Sequence, residues 1–320
     1  MNPAMSTGCH VIFGAGQVGS LLARILIDRG ADVRVATRSG GGIPKGAKAV
    51  LGDAGNPAFC ASAVEGAAVV YHCLNPTYST KVWAELVPRY MANLVEASAR
   101  AGARLVVLDN VYMLGKPNGK PLSSDTPMNP CSRKGEIRAQ AATMLFDAHR
   151  RGDVRATCGR ASDFYGPSGT LTQVGDYFWP RVLKGSSGQV IANPDAIHTY
   201  HYIPDVAAGL ATLGSAPDDA FGRPWMLPCR PAETLRDLVR RFEKPFGAPI
   251  ALTVLPGWML SLLGVFMPIM REMPEMRYQW EEPFVIDDRQ FRERFGVQPE
   301  DADRAAAATV AWARAHYARA

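Results

Sequence analysis

An aromatic hydroxyl just past an apolar strand is the first candidate for chemistry in this chain. The stretch LVVLDNVYMLG, residues 105–115, reads as a buried strand running into a loop, which puts Asn110 and Tyr112 just beyond the strand. Hydride transfer to a carbonyl generates an alkoxide, so a reductase needs a positioned acid, and a tyrosine is one solution. Tyr112 therefore has two interpretations, a proton donor and a packing aromatic.

A glycine pattern near the N-terminus indicates a phosphate-binding turn. The sequence GAGQVG places Gly14, Gly16 and Gly19 at the spacing of dinucleotide-binding loops: one glycine makes the turn, one admits the pyrophosphate and one permits close helix packing. Gln17 and Val18 begin the next helical pattern, whose first N–H groups and positive dipole end attract phosphate. We predict that these five residues bind a dinucleotide, the alternative being a purely structural turn.

The end of the second predicted strand discriminates between cofactors. An acid there accepts hydrogen bonds from the ribose hydroxyls, whereas an arginine accommodates the additional phosphate of NADP. The chain has VATRSGG at this point, with Arg38 and no acid, which favours NADP over NAD. Asp53, after the third predicted strand, is placed to reach the adenine edge, although an Asp beside Gly52 also suits a turn.

The composition is that of a soluble globular protein. Hydrophobic residues make up 47% and charged residues 20% of the 320 positions. The net charge of +5 is scattered along the chain, which gives no support for nucleic-acid binding. The six cysteines lack the spacing of metal-ligand pairs, so we expect reduced thiols and no metal. No secretory signal is visible, so we expect a cytoplasmic protein.

Strand and helix patterns alternate through the first half of the chain. Strands are predicted at residues 9–13, 33–36, 47–51, 68–73, 104–108 and 154–160. Helical patterns between them indicate an α/β fold, a Rossmann-type doubly wound parallel sheet with a smaller, mainly helical C-terminal substrate lobe. We assign residues 1–165 to the Rossmann domain, with 189–215 returning to it, and residues 166–188 and 216–320 to the substrate-binding lobe.

One uncharged stretch, residues 249–270, has roughly the length that spans a bilayer. Pro256, Gly257, Gly264 and Pro268 interrupt it, and mixed charge follows at once. We therefore predict an apolar helix pair lining a pocket, and no membrane span.

The predicted lobe is rich in Trp, Met, Leu and Phe, which bears on the substrate. A pocket built from these side chains favours an apolar or aromatic small molecule over a sugar nucleotide, whose diphosphate needs arginines. Arg181, Arg271 and Arg277 keep the sugar-nucleotide alternative open.

Seven blocks occur in a familiar order: VIFGAGQVGSLLA, GDAGN, VVYHCLNP, VVLDNVYMLG, RKGEIRA, GRASDFYGP and YHYIPDVAAGL. Through these blocks, roughly residues 9–213 of the chain resemble the extended short-chain dehydrogenase/reductase superfamily, which includes the NAD-dependent epimerases and dehydratases. The resemblance implies a Rossmann core with a nicotinamide near the ends of the fourth, fifth and sixth strands, where Leu74 and Ala161 lie. A homodimer through two long helices is common in that group.

The departures from that family concern the proton donor. The family combines a Ser or Thr after the fifth strand with Tyr-x-x-x-Lys on the next helix, but this chain has Asn110 and Pro130 at the first two places. Lys134 matches the lysine, which lies beside the cofactor ribose. Our hypothesis is that Tyr112 replaces the missing tyrosine, with its pKa lowered by Lys134, and that Asn110 polarises the substrate oxygen. In the alternative, Tyr112 packs and Lys134 supplies the proton through water. Phe13 stands where the family's longer glycine motif has a glycine.

Three further residues are candidate substrate contacts. Tyr78, in the loop after the fourth strand, is the second choice for the proton donor. Asp163 stands where the family often places a polar residue facing the substrate, although it also suits a turn. His198 and His201 precede a helix and are weaker candidates, because most single histidines are ordinary hydrogen-bonded groups.

Three functions compete. The leading one is an NADP(H)-dependent oxidoreductase acting on a carbonyl or conjugated double bond of an apolar small molecule. The second is a sugar-nucleotide epimerase or dehydratase that keeps NAD tightly bound. The third is a non-catalytic NADP-sensing regulator, which Pro130 favours and which Lys134 disfavours.

Overall fold

A seven-stranded parallel sheet forms the centre of the computed structural model, which describes residues 8–191, 193–255 and 271–318. The strands are β1 (Cys9–Phe13), β2 (Val33–Thr37), β3 (Lys48–Leu51), β4 (Ala67–His72), β5 (Arg104–Asp109), β6 (Ala156–Arg160), β7 (Phe164–Tyr165), β8 (Gly188–Val190), β9 (Ile197–His198), β10 (His201–Tyr202), β11 (Pro224–Met226), β12 (Glu233–Thr234) and β13 (Leu252–Val254). The described helices are α1 (Gly19–Asp28), α2 (Pro57–Ala63), α3 (Thr80–Ala101), α4 (Arg133–Arg150), α5 (Trp179–Leu183), α6 (Ile203–Gly214), α7 (Leu235–Phe246), α8 (Tyr278–Glu281), α9 (Arg289–Phe295) and α10 (Ala302–Tyr317).

Helices cover the sheet on both faces, which is why its central strands are largely buried. β1 and β6 are buried at every position. On one face α2, α3 and α4 pack against the sheet through side chains such as Leu94 and Leu145. On the other face α1, α6 and α9 pack through Leu22, Leu210 and Phe291. The predicted doubly wound α/β fold is confirmed.

The strand order places one crevice at the carboxyl edge of the sheet. The order is β11-β6-β5-β4-β1-β2-β3, so the chain runs outward from β1 in one direction and then crosses to β4 and continues in the other. Loops that leave β1 and β4 therefore diverge, and ligands of such sheets bind in the gap between them. The loops after β5 and β6 continue the same edge.

A smaller assembly follows the central strands. It contains three two-stranded sheets, β10-β7, β12-β9 and β13-β8. α5, α7 and α10 pack together through Trp179, Phe242 and Ala305. This part of the chain is held together by its own apolar cluster.

The expected boundaries of the lobe differ from the observed sheet at two places. β11 lies within residues 216–320, yet it pairs in parallel with β6 and completes the central sheet. β8 lies at the start of residues 189–215, yet it pairs with β13. A strand of three residues is too short to show a periodic pattern, so the sequence could not predict that these strands pair with partners 60 or more residues away.

Most of the apolar stretch at residues 249–270 lies outside the described residues, so the helix pair predicted there stays a prediction. Among the residues that are described, no helix combines the length and apolarity needed to cross a bilayer.

Candidate functional site

The glycine loop leaves β1 at the crevice, and its three glycines have different surroundings. Gly14 has φ +104°, and a Cβ there would lie 2.8 Å from the Cys73 carbonyl oxygen. A Cβ on Gly19 would overlap the Gly14 carbonyl oxygen. Gly16 has no protein atom within 4 Å of where its Cβ would be. Two glycines thus close the turn, and the third faces open space of the kind that an approaching pyrophosphate requires.

The N-terminus of α1 adds a positive dipole end to this space. Val18 is the N-cap, no side chain caps the helix, and no acid lies in its first turn. The first N–H groups of the helix are therefore oriented as an anion site. The Gln17 side chain faces elsewhere: its amide oxygen accepts hydrogen bonds from the Leu171 N–H at 2.7 Å and the Thr170 N–H at 3.1 Å, which bridges the glycine loop to the loop after β7.

A pocket of about 500 Å³ continues the crevice across the ends of β1, β2 and β4. Its lining includes three residues predicted to bind the cofactor, Arg38, Asp53 and Leu74, together with Asn75. Arg38 is exposed and forms no ion pair within the described part of the chain. Asp53 accepts a hydrogen bond from the Gly55 N–H at 2.9 Å, so it closes a turn and lines the pocket at once.

Leu74 and Ala161 hold the backbone at the carboxyl ends of β4 and β6. The Leu74 N–H donates to Nδ1 of His72 at 3.2 Å. Burial lowers the pKa of His72 to about 3, so the ring stays neutral and keeps this acceptor. Ala161 is buried, and its N–H donates to the Asp109 carbonyl at 3.1 Å. Both residues shape the edge where the sequence predicts the nicotinamide.

Tyr112 lies in a 3₁₀ turn directly after β5, within a cluster of aromatic rings. Its ring stacks on Trp83 with centroids 6.0 Å apart, and Tyr78 meets the same indole edge-on at 5.4 Å. Tyr112 and Tyr78 are close enough to shift each other's pKa by hydrogen bonding. The two candidate proton donors therefore share one site, and each also packs.

Burial raises the pKa of Tyr112 to about 12, and the Asp163 carboxylate adds to the increase. Hydrogen bonding to Tyr78 and the charge of Arg138 act in the opposite direction. Burial raises the pKa of Tyr78 still further. The sequence predicted a lowered pKa for Tyr112. The structure differs because the phenol is enclosed and the expected ammonium group is engaged elsewhere.

That ammonium group belongs to Lys134, which is completely buried. Its Nζ donates to Oγ1 of Thr80 at 2.9 Å and pairs closely with the carboxylates of Glu272 and Glu275. Nζ also lies 4.7 Å from the centre of the Tyr78 ring. Lys134 thus stands next to the aromatic cluster, but its charge is balanced by two acids that follow the undescribed residues 256–270.

Arg138, one helical turn after Lys134, is the cation that sequence reasoning missed. It is 6% exposed, its Nη2 donates to Oδ1 of Asn75 at 2.9 Å, and its guanidinium lies 4.6 Å from the Trp83 ring centre. Nη1 lies 3.6 Å from Asp109. The spacing of four residues on α4 put Arg138 on the same helical face as Lys134, and that signal was available in RKGEIRA.

Asn110 forms a local turn with Tyr112. Its Oδ1 accepts from the Tyr112 N–H at 3.0 Å, while its own N–H donates to the Asp109 carboxylate at 2.9 Å. Since the oxygen is used by the turn, the Nδ2 group remains as the donor that the predicted role requires.

Asp163 joins β6 to the lobe through three side chains. Its Oδ2 lies 3.2 Å from Nε2 of His198, accepts from Nε2 of Gln173 at 3.2 Å and accepts a close bond from Nε1 of Trp280. Burial alone would raise the pKa of Asp163, but hydrogen bonds from these groups, with His198 the largest contributor, hold it below the usual value. Nδ1 of His198 faces the Gln279 carbonyl at 2.9 Å.

Both ring nitrogens of His201 contact backbone groups. Its Nδ1 accepts from the Ser162 N–H at 3.2 Å, its Nε2 faces the Leu227 carbonyl at 3.2 Å, and burial lowers its pKa to about 4. A neutral ring satisfies both contacts, so this weaker candidate is a structural group. Among the described residues, no three His, Cys, Asp or Glu side chains are grouped in a way that could hold a metal ion.

Comparisons with known proteins agree with this architecture. A profile described as "NAD dependent epimerase/dehydratase family" matches residues 10–224. No significantly similar sequence was found among curated proteins. The dTDP-glucose 4,6-dehydratase DesIV of Streptomyces venezuelae, solved with NAD and TYD bound, has 15% identity and TM-score 0.78, with 97% of this chain and 98% of that chain covered.

Two further solved structures are similar over their whole length. The UDP-glucose 4-epimerase of Thermus thermophilus, solved with NAD, has 19% identity and TM-score 0.76, with 96% and 99% of the two chains covered. The Bordetella bronchiseptica enzyme WbmH, solved with NAD+, has 17% identity and TM-score 0.75, with 97% and 100% covered. At such identities these likenesses establish a shared fold.

Proposed function

The chain belongs to the NAD dependent epimerase/dehydratase family, and on that premise we propose that it is an NADP(H)-dependent oxidoreductase that acts on a carbonyl or conjugated double bond of an apolar small molecule. The surroundings of Tyr112 are the observation that carries this proposal. They combine a partly buried phenol, a stack of aromatic rings and a buried cation at the edge of the sheet where the cofactor crevice ends.

The cofactor half of the proposal rests on the glycine loop and on Arg38. The space at Gly16 and the uncapped start of α1 suit a pyrophosphate. Arg38 lines the pocket with an unpaired guanidinium among the described residues, which suits the 2′-phosphate of NADP. When bound, the nicotinamide would supply or take up the reducing equivalent of the reaction.

The substrate half rests on the side chains that face Tyr112. The cluster there includes Met276, Tyr278, Trp280 and Phe284, all buried. The nearby carboxylates of Glu272, Glu275 and Asp163 would repel a diphosphate. Of the arginines considered for a sugar nucleotide, Arg181 donates to the Ser187 carbonyl and Arg277 pairs with Glu281. These features favour an uncharged, largely apolar substrate.

Tyr112 is the proposed proton donor, because it gives up its proton more readily than Tyr78. With a pKa of about 12 it is fully protonated at neutral pH, as an acid catalyst must be. Loss of that proton leaves a phenolate close to Arg138, whose charge already lowers the pKa of Tyr112. Nδ2 of Asn110 is the proposed donor to the substrate oxygen, and Asp163 with His198 borders the substrate.

A sugar-nucleotide epimerase or dehydratase is the second candidate. It is favoured by similar solved structures, which include a UDP-glucose 4-epimerase with NAD and a dehydratase with NAD and TYD. Under this alternative the purified protein carries NAD that does not exchange, and it ignores added NADPH.

Titration of the purified protein with NADPH and NADH separates these candidates. We expect tighter binding of NADPH, and we expect Arg38→Ala to weaken it at least tenfold while it changes NADH binding less than twofold, since about 1.4 kcal/mol is one decade. Arg29→Ala is the matched control, because it removes an exposed arginine at the far end of α1. Equal affinity for both cofactors in the wild-type protein, or an Arg38→Ala protein that still prefers NADPH, would overturn the NADP assignment.

A further inference from the structure

Asn75 occupies a position in the crevice that the proposed function has not yet used. It follows β4 in the loop between Leu74 and Pro76, it lines the 500 Å³ pocket, and its side chain is exposed there. We propose that Asn75 is a cofactor-binding residue whose Nδ2 donates to an oxygen of the bound dinucleotide, and that buried Arg138 is the positioning residue that sets this orientation. The inference rests on the proposed dinucleotide site.

The direction of the Asn75 amide follows from the chemistry of its partner. Nη2 of Arg138 lies 2.9 Å from Oδ1 of Asn75. A guanidinium has only donors, so the atom facing it must be the amide oxygen. The opposite orientation would place an NH₂ group against the guanidinium N–H groups. Asn75 therefore points Nδ2 away from Arg138, and among the described residues Nδ2 has no acceptor.

Arg138 is held too firmly to follow Asn75 if the amide were to turn. It is 6% exposed, it stacks at 4.6 Å over Trp83, and it lies 3.6 Å from the Asp109 carboxylate. Asp109 is in turn flanked by Arg160 at 3.7 Å. Moving this buried cation would leave a carboxylate with one partner fewer in a water-poor environment, which is costly. The Arg138 guanidinium therefore holds the Asn75 amide in one orientation.

The neighbouring backbone offers few other hydrogen-bond donors. The Leu74 N–H already donates to His72, and Pro76 has no N–H. Within residues 74–76 the donors that remain belong to Asn75. Across the pocket the charge is supplied by Arg38. An acceptor oxygen on the β4 side of a bound dinucleotide, from a ribose hydroxyl or a phosphate, would therefore meet Nδ2 of Asn75.

Replacing Asn75 by Asp is the sharpest test, because it keeps the shape and reverses the hydrogen-bonding role. The carboxylate still accepts from Arg138, so folding is expected to be preserved. The pocket then receives an acceptor and a negative charge where a donor stood. We expect the Kd for NADPH, measured by fluorescence titration, to rise at least tenfold in Asn75→Asp. Asn75→Ala, which adds no charge, is expected to raise it about threefold to tenfold.

Asn56→Asp is the matched control. It introduces the same charge near the same edge, at the N-cap of α2, where Asn and Asp serve equally well. We expect its Kd for NADPH to stay within twofold of wild type. If Asn75→Asp and Asn75→Ala also bind within twofold of wild type, the proposed role of Asn75 is wrong although the dinucleotide site stands. A wild-type protein that binds neither NADPH nor NADH overturns the site and this inference together.

The positioning role of Arg138 is tested by a double-mutant cycle. Arg138→Gln removes the fixed donor, so the amide of Asn75 can turn, and we expect weaker NADPH binding. If Arg138 acts through Asn75, then Asn75→Ala causes little further loss in the Arg138→Gln background. Fully additive losses would mean that Arg138 acts on the cofactor by another route. Should Arg138→Gln fail to fold, the Asn75 variants still decide the binding role.

Discussion

At the scale of single residues, the chemistry depends on which buried groups keep their charge and which are neutralised. Lys134 was expected to act on a phenol, but two carboxylates and a hydroxyl bind its ammonium group. Burial raises the pKa of Tyr112, and the charge of Arg138 only partly offsets that rise. On α4 it is therefore Arg138, and not Lys134 four residues earlier, whose charge opposes the rise that burial causes in the pKa of Tyr112.

Tyr112→Phe tests the proposed acid. We expect turnover of an apolar aldehyde or enone, found by screening with NADPH, to fall by about 100-fold, the contribution typical of general acid catalysis. The NADPH affinity should not change, since the phenol lies beyond the pocket. Tyr78→Phe is the comparison variant: it removes the second candidate donor and the hydrogen bond that lowers the pKa of Tyr112, so we expect a smaller loss of turnover than in Tyr112→Phe. Wild-type turnover in Tyr112→Phe would remove Tyr112 from the mechanism.

At the scale of elements, one ionic cluster joins three segments of the chain. Thr80 begins α3, Lys134 lies in the first turn of α4, and Glu272 and Glu275 belong to the segment before α8. Glu272 also accepts from the Thr80 N–H at 2.9 Å. Hydrogen bonds from Lys134 and Thr80 overcome the effect of burial and lower the pKa of Glu272. The cluster connects the segment before α8 to α3 and α4, which border the candidate site.

Lys134→Met tests how much this tie contributes. Removing the ammonium group leaves two carboxylates close together without a cation, so we expect the free energy of unfolding in urea to fall by roughly 3 kcal/mol. Adding Glu272→Gln and Glu275→Gln removes the repulsion and should restore at least half of the loss. If the triple variant is no more stable than Lys134→Met, the two acids do not depend on this lysine.

The raised pKa of Asp205, in the first turn of α6, predicts that the free energy of unfolding depends on pH. Burial is the largest effect that raises its pKa to about 6, although its carboxylate accepts from the Glu300 N–H at 2.9 Å. Because the folded pKa lies above the unfolded value of about 4, the ionised group destabilises the fold. This cost is complete above pH 6 and disappears below about pH 4.

Asp205→Asn keeps the acceptor and removes the charge. We expect the free energy of unfolding at pH 7.5 to rise by about 2 kcal/mol, a value reduced for partial exposure, with the difference shrinking to zero as the pH falls toward 4. Urea titrations at several pH values measure it. Asp303→Asn, which removes an exposed carboxylate of α10, is the control for the loss of a surface charge. A pH-independent difference for Asp205→Asn would contradict the argument.

At the scale of the whole molecule, the sequence predicted the features that depend on neighbouring residues. The glycine loop, Arg38 and the first six strands follow from short patterns, because each is set by neighbouring residues. One partner of Lys134, Glu272, and one partner of Asp163, Trp280, lie more than 100 residues away in the sequence. Such pairs have no local signature, so the sequence named the polar groups of the site without showing how they balance one another.

The late position of β11 has a consequence for how the protein is made. β6 is buried at every position, and its outer edge is covered only by a strand that begins roughly sixty residues later. At about 5–20 residues per second of synthesis, that edge stays open on the ribosome for several seconds. An uncovered apolar strand edge is a template for aggregation. We therefore expect fragments that end before residue 224 to be insoluble when expressed, because they lack the strand that covers this edge.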